Sequence, residues 1–140
     1  MHRLVYVAAG LVVYHQISAK KVFPLEVLWI FAPLAVLMGV PSQDVPAMGD
    51  LLGTKLVANE FVAYVKLTTE YKDVLSERSY VLATYALTGF ANFASIGIQL
   101  GGIGAMAPSR RGDLARLGSL ALLGGFLATL INASIAAALL

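Results

Sequence analysis

The sequence has no cysteine and few charged residues. Because cysteine is absent from its 140 residues, disulfides, thiolate chemistry and cysteine-ligated zinc are excluded. Only 13% of the residues are charged, whereas ordinary soluble domains have about 25%. The hydrophobic fraction is 59%, and the mean hydropathy is +0.79. Such a chain cannot cover a water-facing surface, so we predict an all-α protein of the lipid bilayer.

Several functional classes also lack their sequence signals. The net charge of +2, without basic stretches interleaved with aromatic residues, gives no sign of a nucleic-acid partner. P-loop, His-Glu-x-x-His and Gly-x-Ser-x-Gly motifs do not occur. His2 and His15 do not make a metal site, and Ser95 has no histidine within its own segment. We therefore expect no catalytic residues, no metal and no bound cofactor.

Apolar runs, prolines and charges divide the chain into five predicted segments. The first could also be a signal peptide, but Ile17 stands where a cleavage site needs a small residue. Pro24 and Pro33 in the second argue for a helix at the membrane interface. The segments are a transmembrane helix (1–21), an interfacial helix (22–41), a re-entrant hairpin (42–72), a broken transmembrane helix (79–108) and a C-terminal transmembrane helix (112–140).

The fourth segment has no charged residue from Ser79 to Ser109, yet small and polar residues lie at its centre. Gly89, Asn92 and Ser95 weaken a helix and put polar groups at bilayer depth. Many secondary transporters build a substrate site at such a mid-membrane break. The alternative is a continuous long helix in which the small residues serve packing.

The hairpin prediction rests on residues 42–65, which are too polar for an ordinary span and too apolar for a loop. We expect Ser42 to be the N-cap and Pro46 to lie in the first turn. Asn59 and Glu60 would then lie near the hairpin tip, and a carboxylate at bilayer depth indicates function. The alternative is an amphipathic interfacial helix with Lys55 and Glu60 both facing water.

The last segment combines a packing pattern with an orientation signal. Small residues four apart predict that this helix packs against protein: Ala121 and Gly125, Gly124 and Ala128, Ala133 and Ala137. Arg110, Arg111 and Arg116 lie just before it, so that loop should be cytoplasmic. The charge-balanced stretch 66–78 should lie on the opposite side. Asp113 can pair with Arg116 at the i+3 spacing.

Three ordered motifs resemble signatures of the concentrative nucleoside transporter family. They are Gly53-x-Lys55-x-x-x-Asn59-Glu60-Phe61-Val62-Ala63-Tyr64, then Gly89-Phe90-Ala91-Asn92-x-x-Ser95-Ile96-Gly97-Ile98, then Gly101-Gly102-Ile103-Gly104-Ala105-Met106-Ala107-Pro108-x-Arg110-Arg111-Gly112-Asp113. The resemblance covers about Phe31 to Leu140 and concerns the C-terminal part of the family.

The resemblance implies a secondary transporter whose mobile domain has two inverted repeats, of which this chain supplies the second. Segment 1–21 would end the scaffold domain. Glu60, Asn92 and Ser95 match the family's ribose-binding residues, with Asn59 beside them, and Phe90 would contact the base. The implied function is nucleoside symport across the cytoplasmic (inner) membrane of a bacterium, by a homotrimer of the complete protein.

Two parts of the family pattern are missing from this sequence. It lacks a Gly-Gln-Thr-Glu-like tip on a first hairpin and the broken helix that holds the coupling ion, sodium or proton. We therefore expect the ion site outside these residues, and expect the chain to belong to a longer protein or to need a partner chain. The remaining alternative is a structural membrane subunit that only packs.

Overall fold

The structure, a computed structural model, describes residues 25–140, and all regular structure in that range is helical. A 3₁₀ turn, Pro108–Arg110, precedes the last helix. The predicted helix at 1–21, its signal-peptide alternative and both histidines lie outside the described residues. The α-helices are α1 (Leu25–Leu37), α2 (Val45–Val57), α3 (Glu60–Thr69), α4 (Glu77–Ala86), α5 (Phe93–Met106) and α6 (Arg111–Leu139).

Helix α1 continues through Pro33 and ends in a glycine turn. Gly39 has φ of +81°, which a residue with a Cβ rarely adopts. Its N–H donates to Val36 O at 2.9 Å, and the Val40 N–H donates to Ala35 O at 3.1 Å. These bonds satisfy carbonyls that the helix end leaves open and turn the chain back towards α2. Whether α1 lies at a membrane interface stays a prediction.

Helices α2 and α3 form an antiparallel hairpin whose turn lies at Ala58 and Asn59. Asp50 and Lys66 lie on opposite arms, and their side chains form an ion pair. Tyr71 adds a hydrogen bond of 2.6 Å to the same carboxylate. Burial and this hydrogen bond raise the pKa of Tyr71 well above its ordinary value. The tyrosine therefore stays a neutral donor that holds the open end of the hairpin together.

The start of the hairpin differs from the prediction. The residue before α2 is Asp44, not Ser42, and Pro46 does lie in the first turn. The Asp44 side chain does not cap α2. It accepts hydrogen bonds from the Ser76 hydroxyl (2.5 Å) and backbone N–H (3.3 Å) just before α4. The tertiary bond to Ser76 thus replaces the local cap that the sequence suggested.

Between α4 and α5 the helix is interrupted over residues 87–92. Gly89 has φ of +82°, and a Cβ at this position would lie 3.1 Å from the Thr129 side chain. Helix α5 restarts after Asn92, whose side-chain oxygen accepts from the Ser95 N–H at 2.8 Å. The interruption predicted around 89–95 is present, whereas Ser95 lies inside the restarted helix. The continuous-helix alternative is wrong.

Helix α6 packs on α4 and α5, as the small-residue pattern predicted, although most of its buried positions are others. Phe126, Thr129, Leu130 and Ala133 are buried at helical spacing. Of the six small residues expected at the contact, only Ala133 is fully buried, with Ala137 partly so; the other four residues are exposed. The predicted Asp113–Arg116 pair is also wrong, since Asp113 bonds Arg110 at 2.6 Å.

The core lies between α1, the hairpin, α4 and α6. Phe31 of α1 and Phe126 of α6 meet edge to face with ring centroids 5.9 Å apart. Outward positions are also apolar, as Ile98, Ile103 and Leu120 illustrate. Among the described residues, one helical run, Pro108–Leu139 with hydropathy 1.9, is long and apolar enough to cross a bilayer.

Candidate functional site

The candidate site lies where the hairpin tip meets the interruption between α4 and α5. Asn59 ends the hairpin turn in an extended conformation, with φ of −172° and ψ of 174°. Its side-chain oxygen accepts from the Val62 N–H at 2.9 Å, which caps α3. Because this cap fixes the start of α3, it also fixes Glu60, the first residue of that helix. The local sequence thus fixes the position of the Glu60 carboxylate at the hairpin tip.

A direct hydrogen bond joins the tip to the interruption. Asn92 donates from Nδ2 to Glu60 Oε2 at 3.0 Å across 32 positions of sequence. Asn92 is fully buried and Glu60 is partly buried. The same amide caps α5 through its oxygen, so both ends of the Asn92 side chain are held. The two residues therefore present one preorganised polar group rather than two independent side chains.

Ser95 lies directly behind Asn92 on the first turn of α5. Its hydroxyl is buried and donates to the Asn92 carbonyl at 2.6 Å. With its proton engaged, the hydroxyl oxygen retains lone pairs that can accept a hydrogen bond. Ser95 therefore serves the helix cap and is available to a ligand only as an acceptor.

Asn59 and Phe90 flank the Glu60–Asn92 pair without joining it. The Asn59 side chain makes only its cap bond within the described residues, and its amide N–H groups have no partner there. Phe90 lies in the interruption, two positions before the buried Asn92, and its side chain is 50% exposed. An exposed aromatic ring on the segment that carries Asn92 is suited to a ligand with a flat and a hydroxylated part.

Lys55 forms a second contact between hairpin and interruption, and its side chain is fully buried. Its ammonium donates to Ala86 O at 2.8 Å, to Thr88 O at 2.9 Å and to Thr129 Oγ1 at 2.7 Å. The alternative in which Lys55 faces water is therefore wrong. Burying an ammonium without hydrogen-bond partners costs much free energy. The three acceptors compensate for that cost at Lys55.

Asp44 and Ser76 tie the other end of the hairpin to the start of α4. Burial by itself would raise the pKa of the Asp44 carboxyl, but hydrogen bonds from Ser76 and Ser79 hold that pKa below its ordinary value of 3.8. The carboxylate is thus the form that the fold stabilises. The described residues contain no cluster of three metal-ligating side chains.

The comparisons with known proteins show the family of the chain. Residues 3–137 match the family model described as the C-terminus of Na⁺-dependent nucleoside transporters. The chain belongs to this nucleoside transporter family. The resemblance stated from the motifs is thereby confirmed, and the family is one of transporters, not of enzymes. Membership in a transporter family implies an integral membrane protein.

Curated relatives of the family extend well beyond this chain. Sodium/nucleoside cotransporter 1 of Mus musculus is 42% identical over 128 residues, which are 81% of this chain and 20% of that protein. The uncharacterized transporter YutK of Bacillus subtilis is 47% identical over 108 residues, 77% of this chain and 26% of its own length. The chain thus spans about a fifth to a quarter of these two relatives.

A solved member of the family has the same fold over nearly the whole chain. The structure of CNTnw in an inward-facing substrate-bound state aligns with a TM-score of 0.80 and 36% sequence identity. The alignment covers 96% of this chain and 36% of that chain. An outward-facing state of a CNTnw variant gives a TM-score of 0.77. The helical architecture described above is therefore that of the family's C-terminal part.

Sequence reasoning overlooked the roles of Lys55, Thr129 and Asp44. Lys55 was part of a quoted motif but had no role assigned beyond a water-facing alternative. Its signal is a lone charge inside the apolar run from Leu51 to Val57, which predicts either an exposed face or a buried partner. The partners, 31 to 74 positions away, decide between the two.

Proposed function

We propose that these residues form the ribose-binding half of the substrate site in an ion-coupled nucleoside transporter of the cytoplasmic membrane. The observation that carries the proposal is the 3.0 Å bond between Asn92 Nδ2 and Glu60 Oε2. It brings one side chain from the hairpin tip and one from the helix interruption to a single point. Both belong to motifs characteristic of the family to which the chain belongs.

The unused groups of this pair suit a sugar with two neighbouring hydroxyls. Glu60 Oε1 has no partner among the described residues and can accept from one hydroxyl. Asn92 Nδ2 carries a second N–H, which can donate to a hydroxyl oxygen where the ligand replaces the contacts that now bury this side chain. Ser95 can accept a further bond, and Asn59 can donate from its amide. Each ribose hydroxyl both donates and accepts, so this set complements the diol.

The ring of Phe90 is suited to contact the nucleobase. It is half exposed and comes two positions before Asn92, and a planar base stacks or packs edgewise on an aromatic ring. The remaining base contacts are expected from a first repeat outside these residues. The coupling ion, sodium or proton, is also expected to bind there, and the cotransporter name of the mouse relative favours sodium. The complete protein is proposed to be a homotrimer.

The proposed membrane topology follows the charges and the antiparallel hairpin. Helices α2 and α3 would enter and leave the bilayer on one side as a re-entrant hairpin, and α1 would lie at the interface. Helices α4 and α5 would be the two halves of a broken span. Helix α6 would cross fully, with the loop at Arg110 and Arg111 in the cytoplasm.

The binding proposal is tested with uridine on the complete transporter that carries these residues. In isothermal titration, Glu60→Gln and Asn92→Ser should each weaken binding, because each removes one polar contact to the diol. Serine is chosen at position 92 because it keeps an N-cap oxygen for α5. Glu77→Gln and Asn132→Ser, at exposed positions, are matched controls. Unchanged affinity in both site variants would assign the chain a packing role instead.

The topology proposal is tested with single cysteines, for which the absence of native cysteine gives a clean background. Ser42, Lys72 and Arg110 are exposed and suit an impermeant thiol reagent. Ser42→Cys and Lys72→Cys should label from outside, whereas Arg110→Cys should label only after permeabilisation. Labelling of positions 42 and 72 from opposite faces would replace the re-entrant hairpin with a crossing span.

A further inference from the structure

Lys55 is an ammonium ion held inside the protein by oxygen atoms that carry no formal charge. It lies in α2, one turn before the hairpin tip, and none of its surface is exposed. Its three N–H groups are matched by three acceptors at 2.7 to 2.9 Å. No carboxylate among the described residues bonds this ammonium, so the contact is unlike an ordinary buried ion pair.

Two of the three acceptors exist because the helix is interrupted. Ala86 is the last residue of α4 and Thr88 comes two residues later, so their carbonyl oxygens have no N–H of a next helical turn to accept from. Carbonyls at a helix C-terminus also carry the negative end of the helix dipole, which attracts a cation. Thr129 of α6 supplies the third oxygen, and its own hydroxyl proton goes to Phe126 O at 2.8 Å.

An aromatic ring adds a fourth favourable element. The Lys55 ammonium lies 5.3 Å from the centroid of the Phe126 ring. The face of an aromatic ring attracts a cation electrostatically, and more strongly where water is excluded. Carbonyl oxygens freed by an unwound helix, together with a hydroxyl, are also the ligands with which membrane transporters bind monovalent cations.

We propose that Ala86 O, Thr88 O, Thr129 Oγ1 and the Phe126 ring form a monovalent-cation site that the chain fills with its own lysine. The tethered ammonium closes the hairpin tip onto the interrupted helix without a free ion. The position of the tip relative to the interruption is then independent of the ion composition of the medium. This proposal does not depend on nucleoside binding.

Truncation of the lysine tests the site by emptying it. In the complete protein, purified in detergent, Lys55→Ala should lower the thermal unfolding midpoint by about 5 °C or more. Methylammonium or sodium chloride at about 100 mM, with choline chloride keeping ionic strength constant, should raise the midpoint again, because a ligand of the folded state stabilises it. The unsubstituted protein should show no such dependence on methylammonium. Sodium should also stabilise the unsubstituted protein through the proposed coupling-ion site, so its effect at position 55 is the rise in the Lys55→Ala midpoint beyond that of the unsubstituted protein.

Two variants control for unspecific salt effects and for misfolding. Adding Thr129→Val to Lys55→Ala removes one ligand and should reduce the rescue at every cation concentration. Thr54→Val, at the neighbouring buried hydroxyl that has no hydrogen-bond partner among the described residues, should unfold as the unsubstituted protein does.

Lys55→Gln keeps N–H donors on a long side chain but removes the charge, and it decides the question if Lys55→Ala does not fold. We expect the Lys55→Gln variant to unfold at a clearly lower midpoint. A midpoint equal to that of the unsubstituted protein would overturn the proposal, since hydrogen bonds without a cation would suffice. The proposal would be overturned equally if methylammonium did not raise the midpoint of folded Lys55→Ala and sodium raised it no more than it raises that of the unsubstituted protein.

Discussion

Two polar contacts join the hairpin to the interruption between α4 and α5, and they differ in how many of their hydrogen-bonding groups are already used. Lys55 is fully buried, and all three of its donors have acceptors within the fold. Glu60 and Asn92 share one bond and retain further capacity on the carboxylate and the amide. One contact leaves nothing for a ligand, whereas the other is arranged to receive one.

This difference suits the two contacts to different roles: the Lys55 contact to holding the site together and the Glu60–Asn92 pair to binding a ligand. A buried cation with three acceptors is costly to disturb, so it suits a fixed joint. The Glu60 carboxylate is only partly buried, so it loses less of its hydration than the Lys55 ammonium does. It can still accept hydrogen bonds from hydroxyl groups of a ligand. Substitutions at the two contacts should therefore fail in different assays.

The largest expected effect is at the closed contact. Lys55→Met removes all three donors and leaves Ala86 O, Thr88 O and Thr129 Oγ1 buried without this partner. We expect a loss of about 3 kcal/mol or more in unfolding free energy, because hydrogen bonds to a charged group contribute about 1.5–3 kcal/mol. Circular dichroism during thermal unfolding in detergent measures it. A variant as stable as Thr54→Val would show that the two contacts do not differ in this way.

The open contact should respond in binding and not in stability. Glu60→Gln should weaken uridine binding by about 1.5–3 kcal/mol, roughly 10- to 150-fold in Kd, because a charged acceptor for a sugar hydroxyl is lost. Its unfolding midpoint should match that of Glu77→Gln. If the midpoint falls as far as in the Lys55 variants, Glu60 belongs to the structural joint as well.

The interruption itself should be sensitive to a methyl group at Gly89. Gly89→Ala forces a positive φ on alanine and puts its Cβ 3.1 Å from Thr129, a ligand of Lys55. We expect a cost of about 1–2 kcal/mol in unfolding free energy, measured by thermal unfolding in detergent.

Gly97→Ala is the matched control, because Gly97 lies in α5 with nothing within 4 Å of its added Cβ. Alanine in a helix interior is favoured over glycine by about 0.5–1 kcal/mol, so this variant should be slightly more stable. Equal behaviour of the two variants would argue against a strained interruption at Gly89.

The smallest expected effect is a pH dependence at the far end of the hairpin. The pKa of Asp44 is lowered in the fold, so this residue contributes stability above its unfolded-state pKa and loses it as pH falls through the folded value. The unfolding midpoint of the unsubstituted protein should fall from about pH 5 downwards. The unfolding midpoint of Asp44→Asn should fall less over the same pH range. Near neutral pH the midpoints of both proteins should not change with pH and should differ by a constant amount.

Much of the helical layout was predictable because its signals are local. Gly89, Asn92 and Ser95 predicted the interruption because such residues weaken a helix. In the structure Gly89 adopts a positive φ and Asn92 caps the restarted helix. Asn59 and Glu60 were expected near the tip of a hairpin because residues 42–65 are too polar for an ordinary span and too apolar for a loop, and the turn is there. That α6 packs against protein was predicted as well, but its buried face was not, because small residues allow close packing without indicating the side from which a partner approaches.

The sequence by itself determined the class of protein, the family and the residues of the candidate pair, because composition, caps and ordered motifs are properties of neighbouring positions. Only the tertiary structure decided that Lys55 is buried, that Asp44 bonds Ser76 instead of capping α2, and that Asn92 reaches Glu60. Each of these contacts joins residues at least 31 positions apart. Whether a polar side chain faces water or a partner depends on what packs over it, and that is fixed only when distant helices meet.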